Sequence, residues 1–221
     1  MPVRRDYIMR MVEKLAGTFE EIVAEGDAGE REDLQRIDRA LAEAFRARPE
    51  TLHLQIDHGI EEIDERLAAE VGRLLELRTR VADGLGNADL SERSLRFAFR
   101  SLVQGAEMSF HDAERGDKTP LDLLRDVLRS DRTARIMPTD DIAEAWRVVF
   151  RIEAERQHFP QAEDALFLAL DIGGDPIELI REGVRFYERL TDLPDQVLER
   201  RGLPRAEVDE ALKELRRRLE A

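Results

Sequence analysis

From one end of the chain to the other, apolar residues recur three and four positions apart. Ile8, Val12, Leu15, Phe19 and Ile22 follow at intervals of 4, 3, 4 and 3. Leu52, Ile56, Ile60, Ile63, Leu67, Val71, Leu74 and Val81 continue the pattern over the longest periodic run. That period puts the residues on one stripe of an α-helix, whereas a strand needs alternation every second residue. No convincing alternating run and no Asn-Gly hairpin signal is present. Ala, Leu, Glu and Arg dominate the composition, and all four are strong helix formers. The expected fold class is all-α, with antiparallel helical hairpins stacked as a short solenoid or bundle.

Breakers divide the periodic runs. Gly26–Gly29 separates a first helix, about Arg4–Ala24, from a second, about Glu30–Ala47, which Pro49 cannot continue. The run over Leu52–Ala82 stops at Asp83-Gly84-Leu85-Gly86-Asn87. Its C-terminal part carries Leu75 and Leu77 off the main stripe, so that part is sandwiched or binds something. Asp89, with Glu92 three residues on, reads as an N-cap and capping box for a helix Leu90–Met108, on which Phe97 off the stripe predicts burial between two layers. Thr119-Pro120 opens a short helix ending near Arg129, with Thr as cap and Pro at the first helical position. Ser130–Pro138 reads as a linker, dividing the chain into an N-terminal helical region, 1–130, and a C-terminal one, 131–221. Thr139 then caps a helix whose start Asp140 and Asp141 favour electrostatically.

Charge narrows the classes of function. The chain has 221 residues and a net charge of −14, with 38% charged residues against the usual quarter or so. A surplus of negative charge argues against a general binder of nucleic acid or anionic membranes. With no cysteine, disulfides, thiolate metal sites and cysteine nucleophiles are excluded. No segment approaches 18 successive apolar residues, and the start has no uninterrupted apolar run, so neither a membrane span nor a signal peptide is expected. A cytoplasmic location is the default expectation.

The stretch Ala143–Pro176 is the most specific. Ile142, Ala145, Trp146, Val149 and Ile152 face one way on a helix, and His158-Phe159-Pro160 forms a turn too short for anything but an antiparallel return. Ala162, Ala165, Leu166, Ala169 and Leu170 line the returning helix, where the small residues allow close approach. This hairpin resembles a tetratricopeptide repeat (TPR), a helix-turn-helix unit of about 34 residues. Trp146 falls on the family's early Trp, Phe159 on the aromatic before the second helix, Ala162 and Ala169 on its small positions, and Leu166 and Leu170 on apolar ones. Phe150 stands where the family has a small residue and Glu153 where an aromatic is common. The closing Asp175-Pro176 comes two residues late. Ile37, Leu41, Ala44 and Phe45 before Pro49 echo the second half of such a repeat. The resemblance implies a stacked series of helical pairs ending in a charged capping helix, Arg205–Leu219, with a protein or peptide partner. On it, Trp146, Phe150, Glu153, Phe186 and Tyr187 are the partner-binding residues. Asp175 and Glu178 read as another capping box, for the helix that follows.

The opening Asp6-Tyr7-Ile8-Met9-Arg10-Met11 also resembles the start of a family of uncharacterised bacterial helical proteins with a repeat-like C-terminal half. That resemblance implies a bacterial cytosolic protein and brings no activity.

Little in the sequence points to catalysis. His53 and His58 are five apart and share a helix face poorly, Glu107 and His111 could share a metal but sit at a helix end, and His158 falls in the turn. No HExxH, Walker loop or GxSxG occurs, and the glycines near 84–86 and 173–174 lack the strand-then-helix setting of a phosphate loop. Carboxylate pairs such as Glu61/Glu62 and Asp140/Asp141 read as solvated faces and helix starts. Basic clusters occur at Arg4/Arg5, at Arg200/Arg201/Arg205 and at Lys213/Arg216/Arg217/Arg218. The expectation is therefore a non-catalytic interaction protein with neither cofactor nor metal, able to self-associate through Ile8, Val12, Leu15, Phe19 and Ile22 if that stripe is not core. The alternatives are a metal- or nucleotide-dependent enzyme on a helical scaffold and a regulator touching nucleic acid through the C-terminal arginines.

Overall fold

The computed structural model describes residues 2–25, 30–48, 52, 65–108, 119–174 and 176–220. Eleven helices and no strand occur among the described residues, and the fold is all-α. They form two compact units, Met1–Ile136 and Met137–Ala221.

Unit 1 holds α1 (Pro2–Glu25), α2 (Glu30–Ala44), α3 (Glu65–Gly84), α4 (Ala88–Met108), α5 (Pro120–Leu128) and α6 (Asp131–Ile136). The hub is α3, which packs against α1, α2, α4 and α5. Such a position requires apolar residues on several sides, and Leu74, Leu75 and Leu77 are all buried. Residues 53–64, which the periodicity joined to this helix, lie outside the described residues. The turn into α4 uses Gly86 at φ +69°, in the left-handed region that glycine adopts without penalty. The two helices run antiparallel and very close. A Cβ placed on Gly105 would lie 2.6 Å from the Ala69 backbone, and one on Gly72 would lie 2.8 Å from the Leu102 side chain. Phe97 and Phe99, on different sides of α4, are both buried, as expected for a helix between two layers.

Cap assignments divide between agreement and correction. Thr119 caps α5 as expected: its hydroxyl accepts the Asp122 N–H at 3.2 Å, and the Asp122 carboxylate accepts the Thr119 N–H at 3.0 Å, with Pro120 at the first helical position. At α4 the cap is not Asp89. The Asn87 carboxamide oxygen accepts the Leu90 N–H at 3.2 Å, and Asp89 lies inside the helix, because the chain leaves its tight turn two residues earlier. The unit boundary falls at Ile136, six residues beyond the expected one. Residues 131–136 form α6, which packs on α4 and α5, buries Thr133 completely, and ties Arg132 to Asp83.

Unit 2 holds α7 (Thr139–Glu155), α8 (Phe159–Gly173), α9 (Ile177–Thr191), α10 (Asp195–Arg200) and α11 (Arg205–Glu220). Thr139 is the first residue of α7, whose N-cap is Pro138 with no side-chain cap bond. The turn to α8 is Arg156-Gln157-His158, with Gln157 at φ +59°. Pro160 belongs to the first turn of α8, where its missing N–H costs nothing. The antiparallel return brings Gly173 against Ala143, and Ala162, Ala165 and Ala169 are buried between the helices. The cap reading at Asp175 lies outside the described residues; Pro176 is the N-cap of α9, and Glu178 pairs with Arg181 at 2.9 Å instead. Arg205 then locks the end of α9: its guanidinium donates to the carbonyls of Leu190, Thr191 and Leu193 and to Asp195.

Candidate functional site

Unit 2 carries a groove of about 570 Å³ between α7 and α9. Its floor is Phe150, and its sides include Arg151, Glu155, Glu182, Arg185, Arg189 and Asp192. Glu182 is the first residue of α9 to line it. Arg147 donates to Glu182 at 2.6 Å and Arg151 at 2.8 Å. Partial burial alone would raise the pKa of this carboxyl, but the two guanidinium hydrogen bonds outweigh that and hold it at about 2. The same contacts push Arg147 further up. The clamp joins α7 to α9 and fixes Arg151 at the groove wall. Arg185 and Arg189, four apart on one face of α9, are exposed above it.

The five residues expected to bind a partner are not on a surface. Trp146, Phe150, Glu153, Phe186 and Tyr187 are all at most 3% exposed. The aromatic rings form the unit's core, Phe186 meeting Phe150, Phe159 and Tyr187 edge-on at 5.5, 6.2 and 5.0 Å. Phe150 alone of the five lines the groove. Glu153, in the buried place where an aromatic would sit, keeps a polar partner in His158, whose Nδ1 is 2.8 Å away. Tyr187 donates to Glu163 at 2.7 Å; burial raises both pKa values.

The α1 stripe is likewise core. Ile8, Leu15 and Ile22 are buried in unit 1, and Val12 and Phe19 pack partly buried against that core. The stripe is therefore no free self-association seam. Among its described side chains, the large apolar ones that α1 leaves exposed are Met9 and Val23.

Unit 1 has its own cleft, about 820 Å³, between α1 and α5 over the α3–α4 seam. Phe19, Val23, Leu95, Leu123 and Val127 give it apolar walls. Charged residues stand around them as pairs: Arg80 with Glu76 at 2.8 Å, Arg132 with Asp83, and Arg73 with Glu70 at 3.7 Å. Burial would raise Asp83, but hydrogen bonds from Arg132 and Ser91 lower it overall. Glu70, close by, goes the other way: desolvation raises it, and Arg73 offsets only part of that.

The C-terminal arginines bond within the chain. Arg216 pairs with Glu188, Arg217 with Glu214, and Arg218 with Glu214 and Asp171 while lying over the Phe167 ring. Arg201 donates to Gln157 and Arg200 to the Gln196 carbonyl. His53, His58, His111, Glu61 and Glu62 lie outside the described residues. Asp140 and Asp141 occupy the first turn of α7. Among the described residues no group of three or more His, Asp or Glu side chains could hold a metal ion, and no helix is long and apolar enough to cross a membrane.

Sequence reading missed the groove residues Arg151, Glu182, Arg185 and Arg189. The four-residue spacing of Arg181, Arg185 and Arg189 was the available signal for a shared face. It missed the cleft of unit 1 as well, where Val23, beside the stripe, was the hint.

Among the described residues the fold is all-helical, and each of the two units carries a surface recess. The chain belongs to a family of unknown function, DUF6483, whose model matches residues 2–220. No curated protein and no solved structure matches it.

Proposed function

We propose that this chain is a TPR-like, non-catalytic interaction protein that holds a peptide segment of a protein partner in the α7–α9 groove of unit 2. The observation that carries this reading is the groove itself: an aromatic floor at Phe150, a carboxylate clamped between two arginines, and exposed charges of both signs above it. A groove already ordered by internal ion pairs loses little side-chain freedom when a peptide enters. Arg185 and Arg189 take acidic side chains of the peptide, and Glu155 and Asp192 take basic ones. The tight α7–α8 hairpin, with buried alanines between its helices, supports the repeat-like reading.

The test is affinity purification from the source cells with the chain and with the double variant Arg185→Glu/Arg189→Glu. Both arginines are exposed, so the fold survives, which circular dichroism checks. A protein captured by the wild type and lost by the variant is the expected result. An identical set of captured proteins would remove the groove from consideration.

A further inference from the structure

The cleft of unit 1 differs from the groove of unit 2 in that every arginine along it already faces a carboxylate. Each of its three arginines faces a carboxylate of the same chain: Arg80 faces Glu76, Arg132 faces Asp83 and Arg73 faces Glu70. Its hydroxyls are engaged too. Thr79 donates to the Leu75 carbonyl at 2.9 Å, and Ser130 accepts the Arg132 N–H at 3.2 Å. An anionic occupant would lose water without gaining a free counter-ion, which is costly, and would meet Glu20 and Asp126 at the margin.

What remains available is apolar wall. Phe19, Val23, Leu95, Leu123 and Val127 come from α1, α4 and α5 and converge on one space. Its volume, about 820 Å³, lies within the range of small-molecule pockets, roughly 300–1,000 Å³. Val23 is 53% exposed, unusual for a valine facing inward across a concave surface, and an occupant would cover it.

We propose that the α1–α5 cleft of unit 1 is a binding site for a small, uncharged, apolar molecule of aromatic or aliphatic type. Recognition is by hydrophobic burial and shape, and the matched arginines leave no free cation to hold an anion. Two fluorophores that share an aromatic skeleton and differ by a sulfonate test both halves of the statement. The full chain is titrated with neutral N-phenyl-1-naphthylamine and, separately, with anionic 1-anilinonaphthalene-8-sulfonate. The neutral probe saturates at one site per chain, and the anionic probe binds it about tenfold or more weakly. Val23→Glu and, independently, Ala24→Glu each place a charge on an exposed part of the wall and weaken the neutral probe by about tenfold or more. Ile177→Glu, at an exposed apolar residue of unit 2, leaves it unchanged. The proposal is overturned by absence of saturable binding of the neutral probe, by equal or tighter binding of the anion, or by unchanged binding in both wall variants. It is equally overturned if sedimentation finds a dimer that Val23→Glu dissociates, which would assign the cleft to a second copy of the chain.

Discussion

Unit 1 and unit 2 are both built of helices, yet they bring those helices together by different means. In unit 1, α3 and α4 meet backbone to backbone, with Gly105 against Ala69. In unit 2, α9 meets its neighbours through side chains: Gly183 faces the ends of Leu166 and Leu215, and an aromatic set centred on Phe186 fills the core. Their recesses differ as well. The cleft of unit 1 gathers apolar side chains from α1, α4 and α5 beside its ion pairs, whereas the groove of unit 2 is lined mostly by charged residues around Phe150. A Cβ that meets backbone has nowhere to go, whereas one that meets leucine ends can be accommodated.

The sharpest way to break this comparison is to add one methyl group to each unit. Gly105→Ala drives a Cβ into the Ala69 backbone, which cannot step aside, and should cost about 1–3 kcal/mol as the helices separate. Gly183→Ala meets the flexible ends of two leucines, and the gain in helix propensity, about 1 kcal/mol, largely offsets the crowding. Chemical denaturation followed by circular dichroism measures both. Equal losses would mean that the two units tolerate bulk alike.

The next contrast is electrostatic. Glu182→Gln removes a carboxylate hydrogen-bonded to two arginines and should cost about 1–2 kcal/mol near neutral pH. Because its folded pKa is depressed, the stabilisation is complete above the ordinary carboxylate value, roughly 4.3, and is lost as pH falls through about 2. The gap between wild type and variant should close over that window, with Trp146, the chain's single tryptophan, reporting on unit 2 by fluorescence. A gap independent of pH would detach the clamp from the ionised carboxylate.

Glu70 in unit 1 should show the opposite sign and the smallest effect. Its folded pKa is raised by desolvation, so wild-type stability relative to Glu70→Gln is greatest below the ordinary carboxylate pKa and declines as pH rises through the folded value. At neutral pH the variant should equal or exceed the wild type by less than about 1 kcal/mol, since the neutral amide relieves a charge whose Oε2 accepts no hydrogen bond. Thermal melts across a pH series distinguish the two glutamates, and a marked loss in Glu70→Gln would show its pairing with Arg73 to outweigh its desolvation.

Much of the fold was legible because helix formation is local. The 4-3-4-3 stripe of α1, the glycine turn before α4 and the Thr119-Pro120 start of α5 each express the backbone geometry of a few neighbouring residues. The α4 cap was misplaced by two residues, from Asn87 to Asp89, because either side chain can accept a helix N–H and the exit from the turn chooses between them. The site was far less legible. Trp146, Phe186 and Tyr187 looked like a binding face because aromatic residues suit interfaces and cores equally. Which role they take depends on whether other parts of the unit cover them, and all three are buried.

The sequence by itself determined that this chain is helical, where most helices begin and end, and that α7 returns immediately as α8. Those properties follow from period, breakers and caps, which act over a few residues. Only the tertiary structure decided that the α1 stripe is core, that Arg216 and Arg218 reach Glu188 and Asp171, and that Arg147, Arg151 and Glu182 meet across α7 and α9. Burial and ion pairing between residues some 30 apart in sequence are set by how the helices pack, and no local pattern encodes that packing.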